Sequence, residues 1–312
     1  MSDTRKKNNI ITLTSLVAYV LIYFLVIFRF IPNYAEIING VFIVLLAIIS
    51  YFMYGYQSCK LNEIRKKVLL EVLIASGIYF LLIYVLGIFT GYLKNGYSLE
   101  ILSIIKNVLV PLLSVIALEI FRYIFVSANK DTKEIVSYAT MAIILFDIAL
   151  NFYDIENSLS AIFIFLTVRI IPIIFKNVVL TYLTYQVGYH SCLMYVIPLC
   201  IYRFILPSIP NLGNYLYSVV DIVLPTLVYI YASRMITNNL SEKKSKWQFI
   251  KIFVIDLPVI ILSSIVIILI SGIIDYKLIG INTTKLEKVD RGDLVLVHKI
   301  KYEDYNKGDL IV

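Results

Sequence analysis

Apolar runs of about twenty residues, parted by short polar stretches, recur along the first 276 positions of the chain. A helix rises about 1.5 Å per residue, so about 20 largely apolar residues cross the hydrocarbon core of a bilayer. The runs predict spanning helices over 10–30, 36–56, 68–90, 107–126, 135–153, 158–175, 178–206, 213–234 and 249–274. The seventh is long and holds Gly188, Pro198 and Arg203, which predicts a kinked or partly interfacial helix. Beyond residue 276 the pattern changes. From Lys277 to Val312, 13 of 36 residues are Asp, Glu, Lys or Arg. Two Gly-Asp turn signals, Gly292-Asp293 and Gly308-Asp309, each introduce a short run of Leu, Ile and Val. Such runs, bounded by turns, read as strands. The expected fold class is an all-α polytopic membrane protein of about 8–9 transmembrane helices over residues 1–274. A short extracytoplasmic β segment is expected over residues 275–312.

Composition supports this division. The chain is 60% hydrophobic and 16% charged, whereas soluble domains sit near 45–50% and about 25%. A soluble domain is thereby excluded. The net charge of +7 points to cytoplasmic loops rich in Lys and Arg rather than to nucleic acid. The clusters Arg5-Lys6-Lys7, Lys60 with Arg65-Lys66-Lys67, Lys130 with Lys133, and Lys243-Lys244 with Lys246 all fall on one side if the chain crosses nine times. The expected location is therefore the cell membrane, with a cytoplasmic N-terminus and an extracytoplasmic tail. The first span has no small-residue cleavage site and is too long for a signal peptide's apolar core, so it is expected to stay as an anchor.

Candidate chemistry within the spans rests on ionisable residues, which are costly in hydrocarbon and therefore flag function or pairing. They are Glu71, Glu119, Arg122, Asp147, Arg169, Arg203, Asp221 and Asp256. Glu119 and Arg122 are spaced i, i+3 and can neutralise each other on one helix face, and structural pairing is the expected role. Metal chemistry is not expected. Cys59, Cys192 and Cys200 form no CxxC pair, and His190 stands alone in its span as an expected hydrogen-bonded structural residue. The chain also lacks HExxH and GxSxG. No cofactor is expected; the bilayer is the expected partner.

The tail carries more specific information. Its pattern, "INTTKLEKVDRGDLVLVHKI" followed by "YEDYNKGDLIV", resembles the start of the catalytic domain of type I signal peptidases. The spacing from Gly292 to Gly308 matches that family's two Gly-Asp motifs. Further upstream, "LTYLTYQVGYHSCLMYVIPLCIYRFILPSIPNLGNYL" resembles a clostridial-type polytopic subgroup, notably at Gly188-Tyr189, Tyr202-Arg203 and the Pro207-x-x-Pro210 turn. The resemblance implies cleavage of signal peptides by a serine activated by a Lys or His base, with an oxyanion-binding pocket. On this alignment Thr284 stands at the nucleophile position and Asn282 at the position that helps hold the oxyanion. Lys285 replaces the usual Met and Glu287 the usual Pro, while Val289 fits the expected aliphatic position. The family's base follows the second Gly-Asp motif, where this sequence ends. His298 lies beyond the first Gly-Asp strand, away from the base position.

Three readings follow from the sequence. The chain is a fragment or split product of a polytopic signal peptidase; or it is an inactive homologue that binds signal peptides of exported proteins or another membrane protein; or it is a polytopic transporter or sensor that uses its intramembrane charges. Within the family, catalytic incompetence is the expectation.

Overall fold

A computed structural model describes residues 3–27, 30–56, 63–98, 100–151, 162, 164–238, 276–280 and 294–298. In chain order the elements are α1 (Asp3–Ile22), closed by a π turn over Tyr23–Ile27, then α2 (Ala35–Tyr54) and α3 (Glu63–Thr90). They continue with β1 (Tyr92–Lys94), α4 (Ile101–Ala128) and α5 (Lys133–Leu150). A second π turn, Leu166–Ile170, leads into α6 (Ile171–Gln186), followed by α7 (Tyr189–Ile205), β2 (Ser208–Pro210) and α8 (Gly213–Asn238). Strands β3 (Tyr276–Gly280) and β4 (Leu294–His298) complete the described residues.

Six of the described helices are long and apolar enough to cross a membrane: Thr4–Ile27, Ala35–Tyr54, Glu63–Thr90, Ile101–Ala128, Leu166–Gln186 and Leu216–Ile236. Their exposed surfaces carry large apolar side chains, with Phe89 82% and Phe52 79% accessible. Glu119, Arg122, Asp147 and Asn177 are buried. Charged residues inside and phenylalanines outside invert the usual pattern of a soluble protein. That inversion is what lipid-facing helices require.

The expected boundary between spans at 176–177 is not a boundary. Helix continues from Leu166 through Gln186, and the chain breaks instead at Gly188, whose φ is 109°. Lys176 and Asn177 read as a polar loop, but both have partners on neighbouring helices and so stay helical. Gly188 takes a left-handed backbone conformation that strongly favours glycine, and α7 then forms a separate, shorter apolar helix. The expected span 249–274 lies outside the described residues.

The chain divides into two compact units. The first holds the described residues of 1–73, 108–200 and 214–242. Its apolar core joins α1, α2, α4 and α5 through Leu16, Tyr19, Ile43, Leu46, Phe121 and Phe146. Tyr19 stacks on Phe42 with ring centroids 3.6 Å apart. Gly40 lets α2 approach α4 closely, since a Cβ there would stand 2.7 Å from the Ser114 Oγ. Small residues commonly serve this purpose where helices pack in membranes.

The second unit holds the described residues of 74–107, 201–213 and 243–312. Here β1 pairs antiparallel with β2, Tyr92 opposite Pro210 and Lys94 opposite Ser208. Proline fits because this ladder is only two strands wide, leaving an edge on each. The Tyr92 phenol is buried and donates to the Tyr84 carbonyl at 2.5 Å. Burial pushes its pKa up to about 12, so it stays protonated and a donor at any physiological pH. Asn95 ties the same loop to the end of α7, donating to the carbonyls of Arg203 and Leu206, each at 2.7 Å. The expected Pro207-x-x-Pro210 turn is thus occupied largely by a strand. β3 pairs antiparallel with β4, from Tyr276 opposite His298 to Gly280 opposite Leu294, and β3 lies beside β1 and β2. The strand expected from "DLVLV" is therefore present, running Leu294–His298. The one expected from "DLIV" lies outside the described residues.

Candidate functional site

Inside the first unit, α4, α5 and α6 bring four charged side chains together. Arg122 on α4 is fully buried and Glu119, one turn earlier, is 1% exposed. Arg122 Nη2 donates to Glu119 Oε1 at 3.2 Å, and Nε stands 3.1 Å from Oε2. The second contact is a charge contact without the alignment of a hydrogen bond. The remaining guanidinium donors reach α6. Nη1 donates to the Asn177 carbonyl at 3.1 Å and to Thr181 Oγ1 at 2.9 Å, while Nη2 donates to Asn177 Oδ1 at 2.7 Å.

Asn177 joins this pair to a second one. Its Nδ2 donates to Asp147 Oδ2 on α5 at 2.7 Å and to the Ile173 carbonyl at 3.0 Å. Asp147 Oδ2 also meets Lys176 Nζ at 2.6 Å, and Asp147 Oδ1 accepts from Asn151 Nδ2 at 3.1 Å. Thr140 donates to Thr181 Oγ1 at 3.2 Å, a third link between α5 and α6. Two cations and two carboxylates leave the cluster formally neutral. A buried charge is tolerated when it is paired and hydrogen-bonded, and this arrangement meets both conditions. Its chemistry is that of a polar clamp locking three helices in register.

The sequence-level candidates thus separate. Glu119, Arg122 and Asp147 come together on α4 and α5, whereas Arg169, Arg203 and Asp221 lie on other elements. Arg169 sits in the π turn before α6, half-buried. Arg203 is exposed on α7, where its Nε donates to Tyr202 Oη at 3.0 Å. Asp221 is half-buried on α8. Glu71 is buried on α3. Asp256, Asn282, Thr284, Gly292, Asp293, Gly308 and Asp309 lie outside the described residues.

Lys176, Asn177 and Thr181 were not legible as site residues. A lysine within an apolar run was the one signal available, and the apparent loop at 176–177 masked it. His190 stacks on Tyr189 with centroids 4.0 Å apart, and among the described residues its Nδ1 has no hydrogen-bond partner. At that atom the expected hydrogen bond is absent among the described residues. Cys192 is buried and donates to the Leu180 carbonyl at 3.3 Å, consistent with a small packed residue. Among the described residues no group of three His, Cys, Asp or Glu side chains converges to hold a metal ion.

Compared with protein-family models, curated proteins and solved structures, the chain matches none.

Proposed function

We propose that this chain is a multi-pass membrane protein related to type I signal peptidases, and that its C-terminal β segment engages exported signal peptides or a partner membrane protein without cleaving them. In this reading about 8–9 helices cross the cell membrane, the N-terminus is cytoplasmic and the β segment lies outside. The observation that carries the proposal is the pair of Gly-Asp motifs at Gly292 and Gly308, at the family's spacing and close after a long apolar segment. A strand directly following the first motif, Leu294–His298, supports it. Thr284 at the nucleophile position argues against turnover, because its β-methyl crowds an approach built for serine. The transport reading is weakened by the charge pairing of Glu119 with Arg122 and of Asp147 with Lys176.

The test is cleavage of a signal-peptide substrate by the full chain in proteoliposomes. The expected result is product no faster than with Thr284→Ala. Robust turnover that disappears in Thr284→Ala would overturn the inactive reading.

A further inference from the structure

At one end of the first unit, three of the long apolar helices terminate together: α3 begins at Glu63, α4 ends at Ala128 and α6 ends at Gln186. Between these ends lies a cavity of about 110 Å³. That is room for several waters or one phosphate-sized group. Its walls include Arg65, Tyr123, Ser127, Lys130, Tyr185 and Gln186, with the backbone of Gly188 just ahead of α7. Among the described residues no carboxylate lines it, so two cations and several neutral hydrogen-bonding groups face one small space.

We infer that this cavity binds the phosphate of an anionic phospholipid headgroup. The inference rests on the membrane reading of the helices and is independent of the peptidase resemblance. Four features converge. Arginine and lysine are the side chains best suited to phosphate, Arg by forked donation and Lys as a point charge. The start of α7, a 17-residue helix, sets a positive dipole end beside Gly188 and so offsets the negative ends of α4 and α6 that close on the same space. The cavity lies where spanning helices end, which is headgroup depth. Tyrosines cluster around it, as they do at membrane interfaces: Tyr123 and Tyr189 rings lie 5.1 Å apart, Tyr56 and Tyr123 rings 5.9 Å. Lys130 is held in position. Tyr185 Oη donates to the Lys130 carbonyl at 3.2 Å, and Lys130 Nζ sits 5.1 Å over the Tyr185 ring. Basic pockets between helix ends are a recurrent way of holding anionic lipid headgroups. A free phosphate ion offers the same oxygens but no acyl chains to lie against the apolar helix faces alongside.

The experiment titrates the full chain in neutral detergent with short-chain phosphatidylglycerol, phosphatidylcholine or inorganic phosphate, following thermal stability and retention of lipid by native mass spectrometry. Phosphatidylglycerol is expected to bind and stabilise at concentrations where the other two do not. Arg65→Gln and Lys130→Gln should each weaken it about fivefold, the factor corresponding to ~1 kcal/mol per interfacial cation. Lys66→Gln, which removes an exposed cation paired with Glu63 outside the cavity, should leave binding unchanged. Lys130 is exposed, so its variant keeps the test open should Arg65→Gln fail to fold. Equal weakening by Lys66→Gln would show a diffuse surface attraction and overturn the site. Equal binding of phosphatidylcholine, or saturation by inorganic phosphate with no added effect of the lipid, would overturn the lipid assignment.

Discussion

Arg122→Ala is expected to destabilise the protein by about 3–5 kcal/mol, because removing one partner leaves the other buried charge uncompensated. Glu119, at 1% exposure, would keep a carboxylate in a space that water does not reach. The Asn177 carbonyl, Asn177 Oδ1 and Thr181 Oγ1 would each lose a donor at the same time, and only Thr181 Oγ1 would keep a second side-chain donor, from Thr140. The loss should be read as a lower melting temperature of the detergent-solubilised chain, with less folded protein in size-exclusion profiles. The double variant Glu119→Gln with Arg122→Met should recover much of it, since exchanging a whole buried pair for neutral groups of similar volume is often close to neutral. The opposite result is informative: a fully stable Arg122→Ala chain that had lost a substrate or ion flux would favour the transport reading.

The second large effect is expected at Gly87 in α3. A Cβ there would stand 2.8 Å from two atoms of the Tyr92 ring and 3.0 Å from the Pro210 side chain. Such contacts can be relieved where the neighbour is the free end of a flexible chain. Here the ring is 2% exposed and its phenol is held by the Tyr84 carbonyl, so it cannot swing aside. Gly87→Val is therefore expected to displace Tyr92 and unpair β1 from β2, at a cost of about 3 kcal/mol, the upper end of overpacking penalties. Gly87→Ala should do less harm, because part of the clash is offset by the better helix propensity of alanine. Hydrogen exchange at the amides of residues 92–94, 208 and 209 would measure the loss directly.

Much of the helical architecture was legible because apolar length is a one-dimensional signal. The spans expected at 36–56 and 68–90 fall on α2 and α3 with their boundaries shifted by a few residues. The Glu119–Arg122 pair was legible for a similar reason: three residues is one helical turn, so sequence spacing already fixes proximity. The link from Asp147 to Lys176 and Asn177 was not. It joins residues 29 and 30 positions apart through the packing of α5 against α6, and no local pattern encodes that contact. The same ignorance produced the misplaced break at 176–177, where two polar residues looked like a loop because their partners were invisible. The three-residue pairing of β1 with β2 carries too little sequence to announce itself, and the proline within it argues against a strand by local rules. In the tail, "DLVLV" was readable as a strand from its β-branched residues and turn signals. Its partner Tyr276–Gly280 was not, because it follows straight after an apolar run and lacks a turn of its own.

The central claim is that an odd number of crossings places the β segment on the opposite face of the membrane from the N-terminus. Single-cysteine accessibility tests it most directly, in a chain whose own thiols are removed by Cys59→Ser, Cys192→Ala and Cys200→Ala. Ser2→Cys and Thr283→Cys then report the two ends to a membrane-impermeant maleimide in intact cells. The account predicts labelling of Thr283→Cys at once, and of Ser2→Cys only after permeabilisation. Labelling of both ends together, or of Ser2→Cys alone, would contradict it.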